Sequence, residues 1–191
     1  IINKNNLKDK TNSLQQEALG IVGVNLIHAA FNLAHRTDDL LESLLDNLSR
    51  DRIEIDMVEF KGIEFRRVDN RLMLLHLVKL GLSDAAMFGP DKSVLLPSSV
   101  FYKKSVVVER GSFRPVCNVN IDIMETALEQ FSEDIKVDRD EIIPIMEITM
   151  NNLMQDCGSI DLHDFLARAD MLAASGYKVL ISNYKEYYRL G

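Results

Sequence analysis

Apolar runs of strand length alternate with segments of helical period in this sequence, and this alternation restricts the possible fold more than any other feature. The runs at 106–108, 142–148 and 177–181 are rich in Val and Ile. Stripes with apolar residues every three or four positions lie between them, at about 120–131 and 159–172. The sequence therefore predicts an α/β fold, a layered, Rossmann-like sheet of about five mostly parallel strands with helices on both faces.

Two regions earlier in the chain also predict strands. Apolar and acidic residues alternate from Ile53 to Met57, which indicates a strand over 53–58 near an edge of the same sheet. The segments 94–96 and 100–103 are expected to pair as a small hairpin around Pro97-Ser98-Ser99, ahead of the strand at 106–108.

The segment 14–34 predicts an unusually apolar helix. Ser13 and Gln16 form a capping box at its start, and apolar residues follow on most sides. Such a helix is expected to be buried between the sheet and another layer, or against a second chain. The predicted partners are therefore neighbouring domains of a longer chain, or a second copy in a homodimer through 14–34. A helix covered on one face only would leave a broad apolar patch, which again indicates a dimer or a missing neighbour.

The length of the chain and its polar start predict the domain organisation. Residues 1–13 are mostly polar and are expected to form a flexible N-terminal segment. The remaining 14–191 is expected to be a single α/β domain, because 191 residues fit one domain and no low-complexity linker divides them.

Charge and cysteine usage exclude several classes of protein. The formal net charge of -7 and the absence of Trp argue against a nucleic-acid groove. No apolar run reaches the ~18 residues of a membrane span, and no signal peptide is recognisable. The two cysteines are not spaced as a metal site or redox motif, so reduced thiols and a cytoplasmic location are expected.

Several phrases of the sequence are specific enough to indicate a family. They are QQEALGIVGVNLIHAAF (15–31), RIEIDMVEF (52–60), VDNRLMLLHLVKLGLSDAAMF (68–88), ERGSFRPV (109–116) and VLISNYKEYYRL (179–190). The chain resembles, from about Leu14 onward, a family of larger bacterial proteins that automatic naming calls either TonB-dependent receptor or nicotinate-nucleotide adenylyltransferase. Members extend beyond both ends, so the resemblance implies a middle segment of a larger protein. This chain departs from them at Asp91-Lys92, where members have Asp-Gly, and at Cys117, where they have Thr.

Neither family name fits the residues of this segment. A TonB-dependent receptor needs long runs of alternating, lipid-facing strands, whereas helices alternate with short strands here. The resemblance to an adenylyltransferase implies a phosphate-binding HxGH-like motif, and the four histidines lack it. Catalytic residues outside this segment remain an alternative for the parent protein.

The turn after the strand at 106–108 is the main candidate site. Glu109, Arg110, Ser112 and Arg114 surround Gly111 there. Two guanidinium groups beside a glycine turn suit a phosphate or carboxylate ligand, because both offer charge-assisted hydrogen bonds. The alternative is that Arg110 and Arg114 pair with acidic residues of neighbouring loops.

Two other predicted strands end in polar residues as well. Glu147 lies at the end of one, and Ser182 with Asn183 follows the other. If the strands are parallel, these side chains meet Glu109 and Arg110 at one edge of the sheet, where α/β proteins bind ligands. The ligand and any cofactor are not indicated by the sequence.

Two functions remain open from the sequence. The first is a ligand-binding or interaction domain, not itself catalytic, with a possible anion or phosphate site at the strand ends. The second is a nucleotide- or phosphoryl-handling transferase or phosphatase-like enzyme that needs residues outside this segment.

GYKVLISN, which ends in Ser182-Asn183, is similar to the second motif of haloacid-dehalogenase-like phosphatases, but Asp56-Met57-Val58 supplies only the first aspartate of their DxD nucleophile. No motif of serine hydrolases, P-loop enzymes or dinucleotide-binding folds is present. Asp161, His163 and Asp164 are expected to be a solvated surface rather than a metal site.

Overall fold

The computed structural model describes residues 12–133, 141–154 and 158–186. The chain divides into two compact units, Ile1–Ser83 and Asp84–Gly191. The predicted flexible segment 1–13 lies almost entirely outside the described residues. The predicted domain over 14–191 stays a prediction, and each unit is described separately below.

The first unit is built from helices around a leucine-rich core. They are α1 (Asn12–Asn32), α2 (Thr37–Ser43) and α3 (Asn70–Lys79). Leu41 and Leu77 are fully buried at the centre of this core, and Ala29 of α1 packs with them. Asp69 begins α3 by accepting a hydrogen bond from the backbone N–H of Arg71 at 3.0 Å, which is the usual role of an N-cap aspartate.

The strand predicted over 53–58 is wrong. The segment is extended, but within it only Glu54 has a strand-like bridge, and it belongs to the first unit instead of the sheet. Ile53 and Ile55 are buried, and the Ile55 N–H donates to the carbonyl of Leu82 at 2.9 Å. The alternation therefore reflects one buried side of an irregular segment.

The second unit contains a five-stranded sheet in the order β2-β1-β5-β4-β3. The strands are β1 (Ala85–Phe88), β2 (Val94–Leu95), β3 (Ser105–Arg110), β4 (Ile142–Thr149) and β5 (Lys178–Ser182). Strand β4 is parallel to both β3 and β5, whereas β1 is antiparallel to both β5 and β2. Four strands thus run in one direction, and the predicted, mostly parallel α/β fold is confirmed.

Helices pack on both faces of this sheet. The helix α5 (Asn118–Ser132) connects β3 to β4, and α6 (Met150–Met154) with α7 (Leu162–Ala174) connects β4 to β5. Right-handed crossovers in the same direction place α5 and α7 on one face. The edge-to-face contact of Phe165 with Phe88, with ring centroids 6.5 Å apart, fixes α7 there. The other face carries Met87, Ile145 and Leu180, and α4 (Pro97–Phe101) packs against it.

The predicted hairpin around residues 97–99 is wrong. Pro97 begins α4, a position where its fixed φ and missing N–H suit a helix. Val94 and Leu95 form β2 and pair with Phe88 and Met87 of β1 instead.

The helix predicted at 14–34 is not buried on most sides within its own chain, and its predicted burial against a second chain stays a prediction. Among the residues of α1 only Ala18, Val22 and Ala29 are buried. The larger apolar residues point away from the core, and Phe31 is 86% exposed.

Candidate functional site

The carboxyl ends of β3, β4 and β5 share one buried ionic cluster, formed by Arg110, Glu147 and Ser182. The sheet register pairs Arg110 with Glu147 and Ser182 with Thr149, which puts the three side chains on one face. Arg110 holds Glu147 with two bonds, Nε to Oε2 at 2.7 Å and a terminal nitrogen to Oε1 at 3.0 Å. The Ser182 hydroxyl donates to the same Oε1 at 2.5 Å. The sequence prediction that these strand ends meet is therefore confirmed.

This cluster is closed to solvent and internally neutral. The Glu147 side chain is 0% exposed and that of Arg110 is 12% exposed. Arg110 also donates to the backbone carbonyl of Lys185 at 3.0 Å, and Gly111 N–H donates to the Glu147 carbonyl at 3.1 Å. A buried carboxylate is tolerated when a guanidinium and further donors satisfy it, so these contacts account for the placement of Glu147.

Glu109 lies on the opposite face of the sheet from Arg110, because successive strand residues alternate in direction. Its Oε1 accepts a hydrogen bond from Asn120 of α5 at 2.8 Å. Its Oε2 is buried and has no hydrogen-bond partner among the described residues. Burial raises the pKa of Glu109 despite the bond from Asn120, and the pKa of Tyr177 is raised by burial and by the charges of Glu125 and Glu109.

Arg114 does not join Arg110. Its Nε contacts Asp164 of α7 at 3.0 Å, and the side chain is 45% exposed. The buried Arg168 binds the same Asp164 and also donates to the Ser112 carbonyl at 2.8 Å. The two arginines of the turn thus bind different carboxylates, which matches the alternative that they pair with neighbouring acidic residues.

The space above Gly111 is occupied by protein. A Cβ atom at this position would lie 2.9 Å from the ring of Phe113, a buried residue with a φ of 46°. A larger residue at this position would have to displace the Phe113 ring, which packs directly on the backbone. The Phe113 ring therefore occupies the space beside the Gly111 backbone.

The remaining predicted site residues contribute through the backbone or lie at the surface. Ser112 is exposed, and its contact with Arg168 is through its carbonyl oxygen. Asn183 is exposed too, and its N–H donates to the Asp84 carbonyl at 2.9 Å. The structure thus brings together Arg110, Glu147 and Ser182 from the predicted set, and leaves the others outside that cluster.

Asn120 and Arg168 organise this region and are absent from the sequence prediction, and Asp164, expected to be a solvated surface residue, instead pairs with Arg114 and Arg168. The spacing of Asp164 and Arg168 is i, i+4, the distance at which oppositely charged side chains meet on a helix, so a signal was present. Asp161 caps α7 by accepting from the N–H groups of His163 and Asp164, and these bonds lower its pKa. Within the described ranges, no group of three or more His, Cys, Asp or Glu residues is arranged to hold a metal ion.

Each unit has a shallow cavity among its described residues, and neither cavity is lined by Arg110, Glu147 or Ser182. One, of about 350 Å³, is lined by Leu128, Glu129, Ser132, Ile142 and Pro144, at the start of β4 rather than its carboxyl end. The other, of about 360 Å³, belongs to the first unit and is lined mainly by Leu45, Leu48, Leu80 and Leu82, with Glu42 and Arg50.

The first unit presents a large apolar surface on α1. We call it the α1 outer face, and it consists of Leu19, Gly20, Gly23, Val24, Leu26, Ile27 and Phe31. Val24 is 67% and Ile27 is 62% exposed. The charged residue of α1 is Glu17, which pairs with Arg52 at 3.2 Å and lies seven residues before Val24, on the same side of the helix at the N-terminal end of this face.

The inner side of α1 is anchored along its length. Arg52 donates to the Leu14 carbonyl at 3.0 Å near the start of the helix. In its middle, the Asn25 amide donates to the carbonyls of Leu44 and Asp46 at 3.0 and 2.9 Å. Near its end, Ala29 is fully buried in the core. These attachments fix the rotation of the helix, so the outer face cannot turn inward without breaking them.

Neither known family models, nor curated proteins, nor solved structures match this chain. In the described parts of the chain, no helix has the length and apolar character needed to cross a bilayer.

Proposed function

We propose that this chain is an interaction domain, not itself catalytic, whose binding surface is the α1 outer face. The observation that carries the proposal is the exposure of Val24, Ile27 and Phe31 side by side on an anchored helix. Contiguous exposed apolar patches on folded proteins mark interaction sites, whereas scattered apolar residues need no explanation. The domain is proposed to act within a larger cytoplasmic bacterial protein, in accordance with the resemblance described above.

The strand ends support a binding domain better than an enzyme. Both oxygens of Glu147 are engaged, and the Ser182 hydroxyl donates inward to that carboxylate. A general base or nucleophile needs a free atom within reach of a substrate, and this closed cluster offers none. For the same reason an anion or phosphate site at Arg110 is the less supported form of ligand binding.

The phosphatase-like alternative also lacks an aspartate nucleophile on a strand of the sheet. Such a mechanism needs an aspartate nucleophile on a strand other than the one that ends in Ser182. Asp56 lies on the irregular segment of the first unit, which is not a strand of the sheet. A transferase activity of the parent protein would therefore need catalytic residues from outside this segment.

Replacing exposed residues by lysine tests the proposal. The double variant Val24→Lys/Ile27→Lys is compared with His28→Lys, which adds a charge to the same helix at an exposed position outside the α1 outer face. At high dilution, the wild type and His28→Lys should bind a hydrophobic dye such as bis-ANS, and the double variant should bind much less. The free energy of unfolding should change by no more than about 0.5 kcal/mol per substitution, as for other exposed sites.

Two results would contradict this proposal. Equal dye binding by the double variant would mean that the dye reports another surface. A loss of stability of the size seen for core substitutions, ~2–5 kcal/mol, would mean that Val24 and Ile27 are covered within the chain.

A further inference from the structure

We propose that the α1 outer face binds a second copy of this chain, with the two α1 helices packed antiparallel around a two-fold axis. This inference rests on the proposed function and names its partner. Four residues form the centre of the face: Gly20, Val24, Ile27 and Phe31. Their spacing of four, three and four residues keeps them on one stripe of the helix, the repeat used where two helices pack side by side.

The stripe grows in size from one end to the other. It reads Gly, Val, Ile and Phe, so the backbone is bare at Gly20 and the largest side chain stands at Phe31. The two end positions are eleven residues apart, which is about 16 Å along a helix. A face of this kind has a depression at one end and a projection at the other.

An antiparallel second copy fits this gradient at every position. A two-fold axis midway between Val24 and Ile27 sets Phe31 of each chain over Gly20 of the other, and Val24 of each chain against Ile27 of the other. Both matches occur twice, as the symmetry of an isologous dimer requires. A parallel pair would set Phe31 on Phe31 and Gly20 on Gly20, which wedges one end open.

The space at Gly20 is free within the first unit. A Cβ atom there would meet no other atom within 4 Å, and the same is true at Gly23. The helix accordingly does not need glycine at these positions for its own packing. Glycine in a helix interior costs about 1 kcal/mol relative to alanine, so a bare backbone here is explained by what the dimer places over it.

The area and the charge of the stripe indicate a weak, salt-dependent pairing. The large side chains of the stripe expose on the order of 450 Å² per chain, and two copies would bury at most about twice that, which is the size of a weak, transient interface. The four residues of the stripe carry no charge, although Glu17 continues it three residues before Gly20 and the whole chain has a formal charge of -7. The dimer should therefore tighten as salt screens the repulsion between two acidic chains.

Sedimentation equilibrium of the full chain tests the dimer. The wild type should approach twice its 21.7 kDa mass as its concentration rises. Exchanging the projection and the depression then tests the geometry. Gly20→Phe alone sets Phe against Phe, and Phe31→Gly alone sets Gly against Gly, so each should raise the dimer dissociation constant about tenfold or more.

The double variant Gly20→Phe/Phe31→Gly reverses the gradient and should restore the dissociation constant to within about threefold of the wild type. His28→Phe is the matched control, because it adds the same side chain at an exposed position outside the stripe. Its dissociation constant should stay near that of the wild type. Single variants that lose the dimer without recovery in the double variant would overturn the antiparallel arrangement.

A wild type that stays monomeric at every concentration would overturn the dimer itself. If the dye experiment above still succeeds, the α1 outer face would remain an interaction surface for another protein, and the proposed function would stand. If the dye experiment fails as well, both proposals fail. A dimer that weakens as salt rises would contradict an uncharged interface.

Discussion

The strand-end cluster and the α1 outer face distribute polarity in opposite ways. In the second unit a carboxylate, Glu147, is buried completely. In the first unit an aromatic ring, Phe31, is 86% exposed. Both depart from the rule that charged groups face water and apolar groups face the core.

The difference between them lies in their partners. Glu147 receives three hydrogen bonds from Arg110 and Ser182, so its burial is compensated within the unit. No described residue of the first unit covers Phe31. A buried charge whose hydrogen bonds are all made within the chain has a structural role. An exposed apolar side chain that nothing covers indicates a surface where a partner binds. This distinction separates the two regions and can be tested directly.

The largest expected effect compares the two arginines of the turn. Arg110→Met leaves the buried Glu147 without its counter-charge and should lower the free energy of unfolding by ~3–5 kcal/mol. Arg114→Met should lower it by only ~0–1 kcal/mol, because its pair is more exposed and Asp164 keeps Arg168. Urea unfolding followed by far-UV circular dichroism measures both, and the chain has no Trp for fluorescence.

If both variants lost the same free energy of unfolding, Arg110 would be no more important for stability than Arg114. The contrast between the two arginines would then be wrong. Thermal shift with nucleotides and phosphorylated metabolites sharpens the test. A wild type stabilised by an anion, with the effect lost in Arg114→Met, would restore the ligand site that the sequence predicts at this turn.

An intermediate effect compares the inner and outer sides of α1. Ala29→Leu adds volume to a fully buried position and should destabilise the chain by ~1–3 kcal/mol. Gly20→Ala adds one methyl group in open space and should stabilise it by up to about 1 kcal/mol through helix propensity. Thermal or urea unfolding at low protein concentration measures both changes. A destabilising Gly20→Ala would mean that another part of the chain covers the outer face.

The smallest effect concerns the pH dependence due to Glu109. Its raised pKa means that the folded chain holds the proton more tightly than the unfolded chain. The stability due to the protonated Glu109 is therefore fully present below the unfolded pKa and is lost as pH rises through the folded pKa. Glu109→Gln should match the wild type near about pH 4 and become the more stable protein towards about pH 7. Free energies of unfolding across this interval measure the difference, and a gap that closes with rising pH would reverse the sign assigned here.

Local patterns were sufficient to predict much of the second unit. The β-branched run at Val106–Val108 and the helical stripe at 159–172 are local signals, and they form β3 (Ser105–Arg110) and most of α7 (Leu162–Ala174). The meeting of Arg110, Glu147 and Ser182 also followed from local information, because parallel strands bring their carboxyl ends to one edge.

The errors arose where the outcome depends on distant parts of the chain. Alternation at 53–58 shows that one side is buried, but not whether a neighbouring strand supplies the ladder of hydrogen bonds. Helical periodicity shows which residues of α1 share a side, but not which side meets the core. Here Asn25 decides the rotation, because its amide reaches carbonyls nineteen and twenty-one residues away.

The position of β5 bears on the order in which the sheet can be completed. Strand β5 follows the other strands in sequence and yet lies at the centre of the sheet, between β1 and β4. During synthesis β1 is made early and pairs with β2, but its other edge has no neighbour until residues 178–182 leave the ribosome. An apolar edge left open for so long is prone to pair with other chains. A nascent chain that pauses before β5 would therefore be the form of this protein most in need of a chaperone.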